Sequence, residues 1–93
     1  MSAEDLLTLK LYMHVYHDDD DLLIFKTWGA AVEYLAGGGV AMDGSQRCWL
    51  AAAGLTLHWY ENPGFTGTDT GLPVGVRTII NQLKLDQGGA DYF

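Results

Sequence analysis

Leu7-Thr-Leu-Lys-Leu-Tyr-Met-His-Val-Tyr16, then His17, then Asp18-Asp19-Asp20-Asp21, then Leu22-Leu-Ile-Phe25: the reading of this stretch decides the fold. Leu7, Leu9, Leu11, Met13 and Val15 alternate strictly with Thr8, Lys10, Tyr12, His14 and Tyr16. A two-residue period predicts a half-buried β-strand, because successive side chains of a strand point to opposite faces. Leu22 to Phe25 is apolar on both faces and reads as an interior strand running to about Thr27. Four adjacent carboxylates repel one another, so the run between these strands reads as the exposed tip of a hairpin. A rival reading starts a helix at the aspartates, whose charge favours a helix N-terminus. Gly29 and the β-propensity of Ile24 and Phe25 weigh against it.

Ser2 and Asp5 have the spacing of a capping box and predict a short helical turn at the N-terminus. Thr27 reads as the N-cap of a helix from Trp28 to Ala36, stopped by Gly37-Gly38-Gly39. Val40 to Met42 and Gln46 to Leu50 read as extended pieces joined by the turn Asp43-Gly44-Ser45. Leu55 to Tyr60 alternates again and predicts a strand ended by Asn62-Pro63-Gly64. A last helix starts near Pro73, carries the stripe Val76, Ile79, Ile80, Leu83 and ends at Gly88-Gly89. The expected architecture is α+β, in the order β-β-α-β-β-α: an antiparallel sheet with an N-terminal hairpin and both helices on one face, in a single domain over residues 1–93.

Composition narrows the function classes. Five basic residues against twelve acidic ones give a formal charge of −7, which disfavours direct contact with nucleic acid or anionic lipid and favours a basic protein surface. Glu4 and Asp5 stand where a secretory signal carries basic charge, and no apolar run reaches the roughly 20 residues that span a bilayer. Cys48 is the single cysteine, so an internal disulfide is excluded and the cytoplasm is expected.

Catalytic signatures are absent from the sequence, and no enzymatic activity or cofactor is expected. The loop Gly64 to Gly71 precedes a helix but lacks the lysine and following hydroxyl residue of a phosphate-binding loop. His14, His17 and His58 match no zinc spacing, and the aspartate run lacks the alternating ligands of a calcium loop, so no metal site is assigned. Cys48, beside Trp49, reads as a buried inert thiol, and Ser2 and Ser45 sit in no nucleophile-elbow pattern.

The acids therefore carry the functional expectation. Alternate carboxylates of an extended stretch lie about 6.6 Å apart, similar to neighbouring phosphates of a nucleic-acid strand. Asp18, Asp19, Asp20 and Asp21, with Glu4, Asp5, Asp43, Glu61 and Asp69 nearby, are expected to occupy a Lys/Arg-lined groove. Tyr12, Tyr16 and Tyr60 are expected to supply the less polar contacts.

In this profile, a short acidic α+β chain with Tyr16-His-Asp-Asp-Asp-Asp21 and no enzymatic motif, the protein resembles the small acidic anti-CRISPR proteins of phages that act as DNA mimics. The resemblance implies an inhibitor that blocks the basic, DNA-binding surface of a CRISPR effector complex, a type I complex first, in the host cytoplasm. The alternatives are a small ligand- or metal-binding domain using His14, His17 and the acidic turn, or an acidic immunity or antitoxin-like module.

Overall fold

The computed structural model describes residues 1–88, and they form four α-helices with no strand among them. The helices are α1 (Ala3–Met13), α2 (Asp21–Gly37), α3 (Gln46–Glu61) and α4 (Val74–Gly88), with a 3₁₀ turn at Pro63–Phe65. The expected α+β architecture is thus overturned: the chain is all-helical over the described residues.

The N-terminal hairpin is replaced by α1, a loop and α2. Burial on α1 falls on Leu9, Lys10 and Met13, with Leu6 half-buried, which is the i, i+3, i+4, i+7 stripe of a helix. The alternation of leucines is broken because Leu7 and Leu11 are 58% and 56% exposed. Local chemistry agrees with the helix. Between Ala3 and Met13 Thr8 alone is β-branched, and Leu, Lys and Met are strong helix formers. The capping box is complete, with Asp5 N–H donating to Ser2 Oγ and Ser2 N–H to Asp5 Oδ2, both at 3.1 Å. At the other end His14 adopts a left-handed conformation, φ 59°, and Val15 N–H donates to Lys10 O at 2.9 Å. This is a Schellman stop built without glycine.

The strand expected over Leu22 to Thr27 and the helix expected from Trp28 are one helix, the rival reading that begins at the aspartates. Thr27 is not a cap; its hydroxyl donates to Leu23 O at 2.8 Å within the helix. Ile24, Ala31 and Leu35 face inward, at the i, i+7, i+11 spacing of one helical face. The glycine run ends the helix as its composition predicts. Gly39 takes φ 93°, and Val40 N–H reaches Leu35 O at 2.8 Å, which brings two fully buried side chains together.

Of the second expected hairpin, Val40 to Met42 is an irregular connection and Gln46 to Leu50 belongs to α3, as does the stretch Leu55 to Tyr60 expected as a strand. Asp43-Gly44-Ser45 is a helix start: Ser45 Oγ accepts from Cys48 N–H, and Asp43 Oδ1 accepts from Ser45 N–H at 2.9 Å. α3 is the axis of the molecule, buried from Ala51 to Thr56 without interruption, so no single face betrays its period. The last helix carries the expected stripe, with Ile80 and Leu83 buried and Val76 and Ile79 half-buried. Gly89, expected to share in ending it, lies outside the described residues.

Two apolar clusters surround α3. One joins α2, α3 and α4 through Leu35, Leu55, Trp59, Ile80 and Leu83; the other joins α1, α2 and α3 through Leu9, Met13, Ile24 and Ala53. Trp28 packs against both. At Gly54 α3 and α4 pack tightly: a Cβ there would lie 2.6 Å from Val76 Cγ2. Tyr60 near the end of α3 bonds Asp20 before α2, and Arg47 near its start pairs with Asp86 near the end of α4. Both α2 and α4 therefore run antiparallel to α3.

Candidate functional site

The aspartate run lies at the corner where the α1–α2 loop passes into α2, and three of its four carboxylates are engaged by the fold. Lys10 belongs to the buried stripe of α1, and its ammonium emerges between two carboxylates, 2.7 Å from Asp18 Oδ1 and 2.8 Å from Asp21 Oδ1. These partners, Asp18 foremost, hold the Lys10 ammonium above the usual lysine value. The same hydrogen bond and the Lys10 charge hold Asp18 below the usual carboxylate value.

Asp20 is the N-cap residue of α2, yet its side chain makes no cap bond and accepts instead from the Tyr60 hydroxyl. That bond, with burial second, pushes the Tyr60 phenol up from its ordinary value. Asp19 points to solvent, 94% exposed, with His17 Nδ1 at 3.9 Å. Asp18, although paired, is 90% exposed. Tyr16, Leu22 and Leu23 flank these two carboxylates and are exposed as well.

The other acids are dispersed. Asp5 closes the capping box of α1, whose Ser2 bonds lower its carboxyl, and Glu4 is exposed one residue before it. Asp43 caps the approach to α3, where the Ser45 bonds lower its carboxyl to about 2. Asp69 pairs with Arg77 at 3.1 Å in the α3–α4 connection, and Glu61 is the exposed last residue of α3. Asp20 meets one end of α3 and Asp43 adjoins the other. Sixteen residues of helix rise about 24 Å between those ends, so Asp43 stands apart from the aspartate run.

The aromatic residues divide similarly. Tyr16 is displayed, its hydroxyl 3.0 Å from His14 Nδ1, whereas Tyr12 is half-buried edge-on to Trp49 at 5.6 Å. The histidines do not meet. His58 is buried, with Nε2 2.7 Å from Thr70 O and its ring stacked on Phe65, so it fastens the loop that follows α3. Trp59 Nε1 adds a bond to Thr68 O at 2.9 Å. No group of three or more His, Cys, Asp or Glu among the described residues is placed to hold a metal ion. No helix among them is long and apolar enough to cross a membrane.

Sequence reasoning overlooked Lys10, the cation that organises the acidic corner. A helical period over α1 would have flagged it as a charge within an apolar stripe. It also overlooked Arg77, Asn81 and Lys84, which recur at i, i+4 and i+7 on the helix that was anticipated. Comparison with protein-family models, curated proteins and solved structures gives no match for this chain.

Proposed function

We propose that the protein is a non-catalytic binding module that docks on a basic, nucleic-acid-binding surface of another protein and blocks it, acting in the cytoplasm of a host cell. The observation that carries this reading is the composition of the corner at the start of α2. Asp18 and Asp19 are exposed, and so are Tyr16 just before them in the chain and Leu22 and Leu23 just after. An apolar centre rimmed by charge is the usual anatomy of a docking patch, in which the charge guides encounter and the apolar groups supply most of the affinity. A formal charge of −7 selects basic partners. The DNA-binding subunit of a CRISPR effector complex is the first candidate, on the strength of the anti-CRISPR resemblance. In this reading the contact is local to one corner, and Asp43 at the far end of α3 takes no part.

The test is a DNA-binding assay with purified type I effector complex at several salt concentrations. The protein is expected to compete with target DNA, less strongly as salt rises. Asp19→Lys and the pair Leu22→Ser, Leu23→Ser are expected to abolish competition while the helical signal persists. Asp19 is the member of the run to replace, because Asp18, Asp20 and Asp21 are held by Lys10 and Tyr60. Competition by the Asp19→Lys variant equal to that of the parent protein would sink the reading.

A further inference from the structure

A cleft of about 370 Å³ opens between the end of α2, the loop before α4 and one face of α4. Its size falls in the range of small-ligand sites, about 300–1,000 Å³. Leu72 and Ile80, each 6% exposed, lie at its base above the buried Leu35. Tyr34 forms one wall and is itself held edge-on by Trp59, with ring centroids 5.5 Å apart.

The opposite wall is polar and follows one stripe of α4: Arg77, Asn81 and Lys84. Arg77 is fixed at one end, donating from Nη1 to Asp69 Oδ2 and from Nη2 to Asp69 O, each at 3.1 Å. This pairing neutralises Asp69, the one carboxylate among the lining residues. Lys84 stands at the other end. The protein has five Lys and Arg residues. Lys10, Arg47 and Arg77 are each within ion-pair distance of a carboxylate, whereas Lys84 has none within 4.0 Å among the described residues. Its stem lies over the end of α2, where a Cβ on Gly38 would sit 3.5 Å from Lys84 Cε. The absence of a side chain at Gly38 lets the lysine lie close against the helix end, whose partial negative charge favours it.

An ammonium with no carboxylate within 4.0 Å among the described residues, beside an apolar base and in a chain of charge −7, suits a ligand with one negative charge and a hydrophobic body. We propose that the cleft binds a small organic acid, with its carboxylate on Lys84 Nζ and the Asn81 amide and its aromatic or aliphatic body against the half-buried Tyr34, above Leu72 and Ile80. A dianion is disfavoured by Asp69, which already occupies Arg77. The proposal goes beyond the partner-docking reading and stands on different residues.

The test is a heteronuclear NMR titration of the whole protein with phenylacetate and with hexanoate, using phenylacetamide as the uncharged control. At least one acid is expected to give saturable shifts at Gly37, Gly38, Arg77 and Lys84, with the amide binding far more weakly. Lys84→Gln is expected to weaken the acid about tenfold, the scale of a lost charge-assisted hydrogen bond. Lys84 is exposed, so this substitution preserves the fold; Lys26→Gln, on the outer side of α2, is expected to change nothing. The proposal is overturned if neither acid gives saturable shifts by about 10 mM, already weak for such a site. It is equally overturned if acid and amide bind alike, or if Lys84→Gln binds as the parent does.

Discussion

Lys10 and Asp21 form an ion pair 2.8 Å long that joins the last turn of α1 to the first residue of α2, and Asp18 closes on the same ammonium from the connecting loop. One cation thus fixes how two helices leave a corner, and the acidic run is folded around it.

Removing that cation is expected to loosen the corner. Lys10→Met keeps an unbranched apolar stem in the α1 stripe but leaves Asp21 Oδ1, an enclosed oxygen, without its counter-charge. Thermal unfolding followed by circular dichroism is expected to shift down, and Lys10→Met combined with Asp21→Asn is expected to recover part of the loss. An unchanged midpoint in the single variant would show that the pair carries no stability.

Stability is expected to fall at both extremes of pH. The Asp5, Asp18 and Asp43 carboxyls are lowered in the fold, so their contribution is complete above about pH 4, the unfolded carboxylate value, and is lost as pH falls through the folded values. For Asp43 that loss extends to about 2. Lys10 and Tyr60 are raised, so their contribution is complete below about pH 10 and disappears as pH rises through the folded values. Urea midpoints between these limits should form a plateau, and Tyr60→Phe should remove part of the alkaline slope.

Two glycines inside helices should respond to alanine with opposite signs. At Gly29 an added Cβ meets nothing within 4 Å, so Gly29→Ala is expected to stabilise by about 0.5–1 kcal/mol through helix propensity. At Gly54 the Cβ meets both Val76 methyls within 3.0 Å, and overpacking is expected to destabilise by about 1–3 kcal/mol. Adding Val76→Ala to Gly54→Ala should restore part of that loss, a coupling that a double-mutant cycle reads directly.

The left-handed residue after α1 offers a fourth test. His14 holds φ 59° with a full side chain, and His14→Gly removes that strain at the loss of the contact with Tyr16. A gain of about 0.5–1 kcal/mol in denaturant unfolding is expected, since the Tyr16 contact is exposed.

The ends of elements were more legible in the sequence than their type. Ser2 with Asp5, the glycine run after α2 and the stripe from Val76 to Leu83 each name a local interaction that the fold makes, and each was readable. Residues 7 to 16 misled because Leu7 and Leu11 are apolar yet exposed, which completed an alternation that burial does not follow. α3 misled for the opposite reason: Ala51 to Thr56 is buried on every side, so neither period stands out. Its start has the sequence of a hairpin turn, because Asp-Gly precedes Ser45, although the same serine is the helix cap. The internal ties of the acidic run could not be read once residues 7 to 16 were placed on a strand, since Lys10 meets Asp18 and Asp21 only at the end of a helix.

The position of α3 also sets a timetable. α1 and α2 come first along the chain, but each buries its apolar side largely against a helix that begins at Gln46 and ends at Glu61. During synthesis, which proceeds from the N-terminus, neither can dock until that helix has left the ribosome. Until then Leu9, Met13, Ile24 and Leu35 lack the α3 side chains, Ala53 and Leu55 among them, that complete their clusters.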